Sequence, residues 1–322
     1  MKIRQIKAGN LLLPNNVLMA PLAGYTSYPF RILCQEMGAG LCFTEMVSAN
    51  AMKYKDKATS RLLFTTDQEK IKAVQLLGGD PAVMQKIACS EELSDFALID
   101  INMGCPVPNV YKSGEGSAML KDLKRAENII RLCKKSGKAV SVKCRVGVES
   151  NHRIAAEFAK MCEDAGADMI SIHGRTRSMM YEGEPLYDQI AEAKAVVSIP
   201  VIANGGIFSV EDADRMMRET GADGVMIGRY GLENPYIFSE LTGKTITKSR
   251  YEILIQQLEL AGTYYDESFV LEYIRKLASY LMRKQPGTKQ YKQKIYQCGS
   301  VREMEKLFFD AFQCDKSEEE RR

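Results

Sequence analysis

The chain has 322 residues, 45% of them hydrophobic and 26% charged, with a formal net charge of +3. That balance excludes a disordered chain and supports a substantial buried core. No run reaches the roughly 18 apolar residues of a membrane helix, and the opening MKIRQIKAGN lacks a signal-peptide core, so a cytoplasmic protein without membrane association is predicted.

Eight short apolar runs follow one another: VLMA (17–20), LCFTE (41–45), KAVQLL (72–77), ALIDIN (97–102), AVSVKCR (139–145), DMISIH (168–173), PVIAN (200–204) and DGVMI (223–227). Most are separated by stretches of helical spacing. LKDLKRAENIIRLCKKSG and NHRIAAEFAKMCEDAGA are examples, the second ending on a glycine suited to a helix C-cap. A sixth helix is predicted after Pro185, and a seventh after Ser209, where Ser209-Val-Glu-Asp212 has the form of a capping box. Strand and helix repeated eight times predict a (β/α)8 TIM barrel, with a doubly wound sheet as the runner-up. After GRYGLENPYIF the periodicity is wholly helical. The barrel is therefore placed at 1–241 and a C-terminal all-helical domain at 242–322.

Charge divides unevenly between these parts. Residues 242–322 hold 15 Lys and Arg against 12 Asp and Glu, which leaves 29 against 29 in the rest. Residues 273–302 carry eight basic side chains, no acidic one, and Tyr273, Tyr280, Tyr291 and Tyr296. Such asymmetry predicts an anionic partner.

Polar residues at the carboxyl ends of barrel strands are the candidates for chemistry. Strand three ends with Gln75, strand four with Asp100 and Asn102, strand five with Lys143 and Arg145, strand six with His173 and strand seven with Asn204. The two-residue period of a strand puts Lys143 and Arg145 on one face and Cys144 on the other. A lysine facing the barrel interior needs an anion beside it, either a bound one or an internal partner such as Asp100. Asn204-Gly205-Gly206 and Gly228-Arg229 end strands seven and eight, where barrel backbones commonly grip a phosphate. No complete G-x-G-x-x-G occurs, since Gly114-Glu-Gly116-Ser-Ala-Met119 fails at its last position. A mononucleotide-sized cofactor with one terminal phosphate fits better than a dinucleotide, with Gln75 and Lys143 facing its ring.

Nine scattered cysteines, an odd number with no C-x-x-C pair, indicate neither a disulfide framework nor a metal site. Cys105 stands apart from them. It lies between Gly104 and Pro106 just past strand four, and an ordinary pKa of about 8.5 leaves it a thiol able to act as an acid. The other eight suit the role of small buried hydrophobes. Gly114 and Gly116 after Cys105 suggest a loop able to close over a substrate.

The stretches MAPLAGYTSYPFR, AVQLLGGDP, INMGCPVPNVYKSGEGSAM, VSVKCRVG, ISIHGRTRSMMYEG, IANGGI and IGRYGLENPYIF resemble, in order and spacing, the tRNA-dihydrouridine synthases, and among them the bacterial B-type members. The likeness is strong over about residues 5–240 and weak in the tail. It implies an FMN-bound barrel with a helical domain that helps to hold tRNA, and NADPH as the reductant. Pro21, Leu22 and Ala23 would line the flavin, Gln75 and Lys143 would contact its ring, and His173 would lie nearby. Asn204, Gly205, Gly206, Gly228 and Arg229 would hold the phosphate. Cys105 would protonate C5 of uracil while reduced FMN delivers hydride to C6, with Asn102 and Arg145 placing the base. The chain departs from the family pattern at Gly206, often Asp, at Tyr230, often a small residue, and after Arg275-Lys276, where Leu277 and Ser279 replace the usual His and Trp.

Two other readings stand beside this one. A small-molecule flavoprotein of the dihydroorotate or dihydropyrimidine dehydrogenase type would share barrel, FMN and cysteine, but does not account for the acid-free stretch 273–302. An RNA-binding protein that has lost its redox role would not account for Cys105, Lys143 and Gln75. The sequence leaves open which uridine is reduced, the choice of NADPH or NADH, and the oligomeric state, for which a monomer is favoured.

Overall fold

Each of the eight apolar runs forms a strand in the computed structural model, which describes residues 1–54, 57–283, 285 and 288–319. They are β1 (Val17–Met19), β2 (Leu41–Ser48), β3 (Ala73–Leu77), β4 (Leu98–Met103), β5 (Ala139–Arg145), β6 (Met169–His173), β7 (Val201–Asn204) and β8 (Gly224–Ile227). All neighbouring pairs are parallel, and β8 pairs with β1 to close the barrel.

The connecting helices include α1 (Tyr28–Met37), α2 (Pro81–Ala88), α3 (Leu123–Lys134), α4 (Ala155–Asp164), α5 (Tyr187–Val196), α6 (Val210–Thr220) and α7 (Ile237–Thr242). The second crossover is made of two short helices, Ala49–Lys53 and Lys57–Leu62. Gly166 follows α4 at φ +95°, the left-handed conformation that a helix C-terminus uses. At α6 the cap is half of the expected box. The Ser209 hydroxyl accepts from Asp212 N–H at 3.1 Å, but the Asp212 carboxylate accepts from Phe208 N–H at 2.9 Å.

The inward columns of the barrel change character along their length. β4 presents Leu98, then Asp100 and Asn102; β5 presents Ala139, then Ser141, Lys143 and Arg145; β6 presents Met169, then Ser171 and His173. Apolar residues thus gather at the amino end and polar ones at the carboxyl end. A hairpin that the sequence reading missed, Ile6–Ala8 paired with Leu11–Leu13, adds Ile6, Ala8 and Leu13 to the apolar cluster and plugs that end. Its turn depends on Gly9, at φ +61°, where a Cβ would fall 2.6 Å from an Asp168 oxygen. The outward columns, Cys42 and Cys144 among them, pack against the helices.

Beyond the barrel come α8 (Arg250–Tyr264), α9 (Glu267–Leu281), α10 (Lys289–Gln297) and α11 (Val301–Glu319). α8 starts with a complete capping box between Ser249 and Glu252. This helical region packs back on the barrel. Lys248 pairs with Glu36 at 3.0 Å, Arg283 with Glu233 at 3.3 Å, and the rings of Tyr25 and Tyr280 meet edge to face at 5.5 Å.

Arg31 of α1 is 1% exposed and uses its whole fork. Nε and Nη2 donate to the Glu69 carboxylate at 2.7 and 2.8 Å, Nη1 to Thr26 O at 3.0 Å, and Nη2 also to Phe64 O at 2.8 Å. This bidentate pair joins the loop after β1 to the segment before β3. Removing one partner leaves a buried charge uncompensated. Glu69→Ala is expected to lower the unfolding free energy by ~3–5 kcal/mol, as read by urea denaturation.

Candidate active site at the carboxyl end of the barrel

A cavity of about 350 Å³ opens where the polar ends of the strands converge. It gathers the site residues read from the sequence, except Asp100, which is buried below it. Pro21, Leu22 and Ala23 come from the loop after β1, Gln75 from β3, Asn102 and Cys105 from β4 and its loop, and Lys143 and Arg145 from β5. His173 comes from β6, Asn204, Gly205 and Gly206 from the end of β7, and Gly228 and Arg229 from the end of β8. The loop after β1 is held by the Thr26 hydroxyl, which bonds both N–H and C=O of Leu22, and by the Glu45 carboxylate, which accepts from Gly24 N–H.

Asn102 holds the loop that carries Cys105. Its Oδ1 accepts from Gly104 N–H at 3.2 Å and Cys105 N–H at 2.9 Å, and its Nδ2 donates to Gln75 Oε1 at 2.9 Å. Gln75 Nε2 donates in turn to Asp100 at 2.6 Å. On the far side, the Cys105 carbonyl accepts from Ser117 N–H at 3.2 Å and Ser117 O–H at 2.8 Å. Gly114 and Gly116 serve this packing. Both have φ near +60 to +76°, and a Cβ on Gly116 would come within 2.9 Å of Cys105 Cβ. Burial pushes the Cys105 thiol above its ordinary pKa, opposed by a hydrogen bond from Val107 N–H and by the charges of Arg145 and Lys143. It is therefore protonated at neutral pH, a weak acid rather than a ready nucleophile.

Lys143 does not form an ion pair with Asp100. The carboxylate is taken by the Ser141 hydroxyl at 2.6 Å and by Gln75, while Lys143 Nζ donates to Asn204 Oδ1 at 3.2 Å. Burial, then the charge of Arg145, lowers Lys143 to about 8, and Asp100 only partly offsets this. Burial raises Asp100 to about 6. His173 sits well below its ordinary value, first through burial and then through Arg145, Lys143, Arg175 and Arg229, so it is neutral. The cavity is thus rich in cationic groups whose own counter-charge is scarce, and its chemistry asks for an anion.

Arg145 spends much of its guanidinium on backbone. Nε donates to Gly104 O at 2.9 Å, and Nη1 to Thr176 O at 2.9 Å and Met180 O at 2.8 Å. It clamps the Cys105 loop to the loop after β6. In that second loop Met180 stands at φ +52°, and Tyr181 lies under Arg229 at 4.1 Å and Arg145 at 5.5 Å. Sequence reasoning missed Tyr25, Tyr181, Phe208 and Tyr280 as cavity walls. The ISIHGRTRSMMYEG stretch held Tyr181 in plain view, but Tyr280 belongs to α9 and reaches the cavity only through tertiary packing.

At the ends of β7 and β8 the backbone is bare. Gly205 has φ +111°, and a Cβ there would strike the His173 ring at 2.7 Å, while a Cβ on Gly228 would meet nothing within 4 Å. With Arg229 beside them, these residues suit an anionic terminal group. Among the described residues no group of His, Cys, Asp and Glu is placed to hold a metal ion.

The depressed Lys143 has a consequence for stability. Between about 8 and its ordinary 10.5 the unfolded chain binds the proton more tightly than the folded one, so stability rises with pH across that window and burial costs most below it. In protein stripped of small molecules, Lys143→Met is expected to raise the melting temperature by about 3 °C at pH 7. The gain should fade between pH 8 and 10.5 in a thermal-shift series.

The sequence model of the family described as dihydrouridine synthase (Dus) matches residues 18–315. The tRNA-dihydrouridine synthase B of Pseudomonas aeruginosa is 33% identical over 315 residues, which cover 92% of this chain and 95% of that protein. That of Pseudomonas syringae pv. tomato is 36% identical over 316 residues, 92% and 94% of the two chains. The Vibrio cholerae protein of the same name is 40% identical over 237 residues, 73% and 74%. Among solved structures, morphinone reductase in complex with tetrahydroNAD superposes with a TM-score of 0.52 at 12% identity, over 76% of this chain and 91% of that one. A variant of NCR from Zymomonas mobilis gives 0.53 at 18%, over 76% and 92%. At such identities these two share the barrel fold. The extent of the family match and the identity to its members lead to one conclusion: the chain belongs to the dihydrouridine synthase family.

Proposed function

We propose that this protein reduces specific uridines in tRNA to 5,6-dihydrouridine, using FMN held at the mouth of the barrel and NADPH as the reductant. The observation that carries the reading is a protonated, half-buried Cys105 facing the same cavity as a cationic, glycine-walled anion site. Bound FMN would supply the hydride for C6 of the uracil, with electrons drawn from NADPH.

The residues present fit that cofactor. The bare backbone of Gly205, Gly206 and Gly228, with Asn204 and Arg229, would hold its phosphate. Pro21, Leu22 and Ala23 would wall its ring system, Gln75 and Lys143 would hydrogen-bond it, and the neutral His173 would lie alongside. A charged Lys143 in a buried setting favours negative charge nearby.

Saturating the C5–C6 bond takes one hydride and one proton. The Cys105 thiol would give the proton to C5, and its raised pKa keeps that proton in place until needed. Asn102 and Arg145 would place the base, although both already bond the Cys105 loop. A uracil stacked in folded tRNA has to be extruded to reach this depth. The small-molecule dehydrogenase reading leaves the cationic tail without a role.

For the tail, among the described basic residues of 273–302, Arg275, Lys276 and Arg283 are held by hydrogen bonds or ion pairs, and Lys294 lies 5.5 Å from the centre of the Tyr291 ring. Arg275 donates to Cys298 O, Lys276 pairs with Glu272, and Arg283 pairs with Glu233. Tyr273 is buried against Gln257, and Lys284 lies outside the described residues. Lys289, Lys292 and Lys294 of α10, with the exposed Tyr296, are the surface we assign to the tRNA backbone within the helical domain at 242–322.

The purified protein is expected to carry noncovalent FMN. Cys105→Ala should keep that flavin and its reduction by NADPH under anaerobic conditions, yet lose reoxidation by tRNA at least a hundredfold; Cys144→Ala should change neither step. Unchanged turnover in Cys105→Ala would require a different acid.

Replacing Lys289, Lys292 and Lys294 by alanine is expected to weaken tRNA binding and flatten its salt dependence by roughly 0.7–0.9 in log–log slope for each phosphate no longer neutralised. Flavin content and NADPH reduction should stay as they were. A wild-type slope in this variant would move the RNA surface to the barrel mouth around Arg175 and Arg177.

A further inference from the structure

Asp100 touches neither the anion site nor the thiol, yet it is 0% exposed inside the barrel and lies at the closed end of a line of polar groups that finishes at Cys105. The line runs across neighbouring strands. Gln75 is the register partner of Asp100 on β3, and Ser141 is its partner on β5, so the barrel ladder itself brings the three side chains side by side.

The two ends of this line have fixed polarity. An ionised carboxylate only accepts hydrogen bonds, and the backbone N–H groups of Gly104 and Cys105 only donate. Between them stand two primary amides, Gln75 and Asn102, each of which can turn over and exchange its oxygen for its NH2 at almost no steric cost. With Asp100 as an acceptor, Gln75 must offer it Nε2 and so present Oε1 to Asn102. Asn102 must then offer Nδ2 to Gln75, which leaves Oδ1 for the two loop N–H groups. If either amide were reversed, donor would face donor and acceptor would face acceptor, at buried Gln75 and Asp100 or at the partly buried Asn102 on the cavity wall, and those hydrogen bonds would go unmade.

We propose that Asp100 is a positioning residue for Cys105: through three successive hydrogen bonds its carboxylate sets the orientation of Gln75 and Asn102 and so fixes the loop that carries the thiol. Its significance for catalysis rests on the reading of Cys105 as the proton donor. The positioning itself does not.

Amide hydrogen exchange on the FMN-bound protein tests it, read over the peptide that contains Gly104 and Cys105, together with the rate of Cys105 alkylation by iodoacetamide. Asp100→Ala removes the acceptor and should speed exchange at Gly104 and Cys105 at least fivefold and alter the alkylation rate by a similar factor. Asp100→Asn should rescue both to within twofold of the parent, because its oxygen can still accept from Gln75 while its NH2 donates to the Ser141 hydroxyl. Ser141→Ala, which leaves the acceptor in place, should also stay within twofold. Parent-like exchange in Asp100→Ala, exchange in Asp100→Asn as fast as in Asp100→Ala, or equal loosening around Cys144 on β5 would overturn the proposal. Should Asp100→Ala fail to fold, Gln75→Met breaks the same line one step on and must release the same loop; unchanged exchange there would also overturn it. Neither measurement requires tRNA turnover, so a failure here is separable from a failure of the uridine-reductase reading.

Discussion

A closed parallel barrel gives its inward side chains nowhere else to turn, and this protein fills the upper half of that interior with polar groups. The two-residue period of β5 carries Ser141, Lys143 and Arg145 into the barrel together, and the register of β4 sets Asp100 and Asn102 directly beside Ser141 and Lys143. Every one of these groups has to be satisfied by another inward residue or by something that enters through the mouth. The apolar layer below, sealed by the hairpin of residues 6–13, admits no alternative from the other side.

That crowding divides the polar residues by task. Asp100 accepts from Ser141 and Gln75 and leaves Lys143 without a carboxylate at its side. Burial first, and then the charges of Arg145, Lys143, Arg175 and Arg229 gathered in one cavity, keep His173 neutral. A fold seeking stability alone would pair these charges or replace them. Their gathering in one partly desolvated cavity is the usual conflict between stability and a site suited to an anion.

The same groups hold the loops in place. Arg145 fastens the Cys105 loop to the loop after β6, Asn102 fastens its other side, and Arg31 with Glu69 anchors the loop after β1. The helical region joins this scaffold through Tyr25 and Tyr280, so a wall of the cavity is built from an element more than two hundred residues away in sequence from the loop it touches. Anything held by that region therefore lies close to the residues proposed to carry chemistry.

Much of this architecture is legible in the chain itself. The eight apolar runs, the polar residues at their carboxyl ends, the glycines after β7 and β8, and Cys105 past β4 can all be read because strand period and strand-end position are local properties of the chain. Residues 6–13 escaped because Lys7 and the Gly9-Asn10 turn interrupt the segment and leave no apolar run followed by a helical stretch. Tyr181 and Tyr280 escaped because nothing local distinguishes a cavity wall from an ordinary aromatic. Sequence alone determined the barrel and which residue types line its mouth. Only the tertiary structure decided that Asp100 bonds Gln75 rather than Lys143, that Arg145 clamps two loops, and that Tyr280 closes the cavity, because hydrogen-bond partners between strands depend on register and on which groups remain to be satisfied once the barrel has closed.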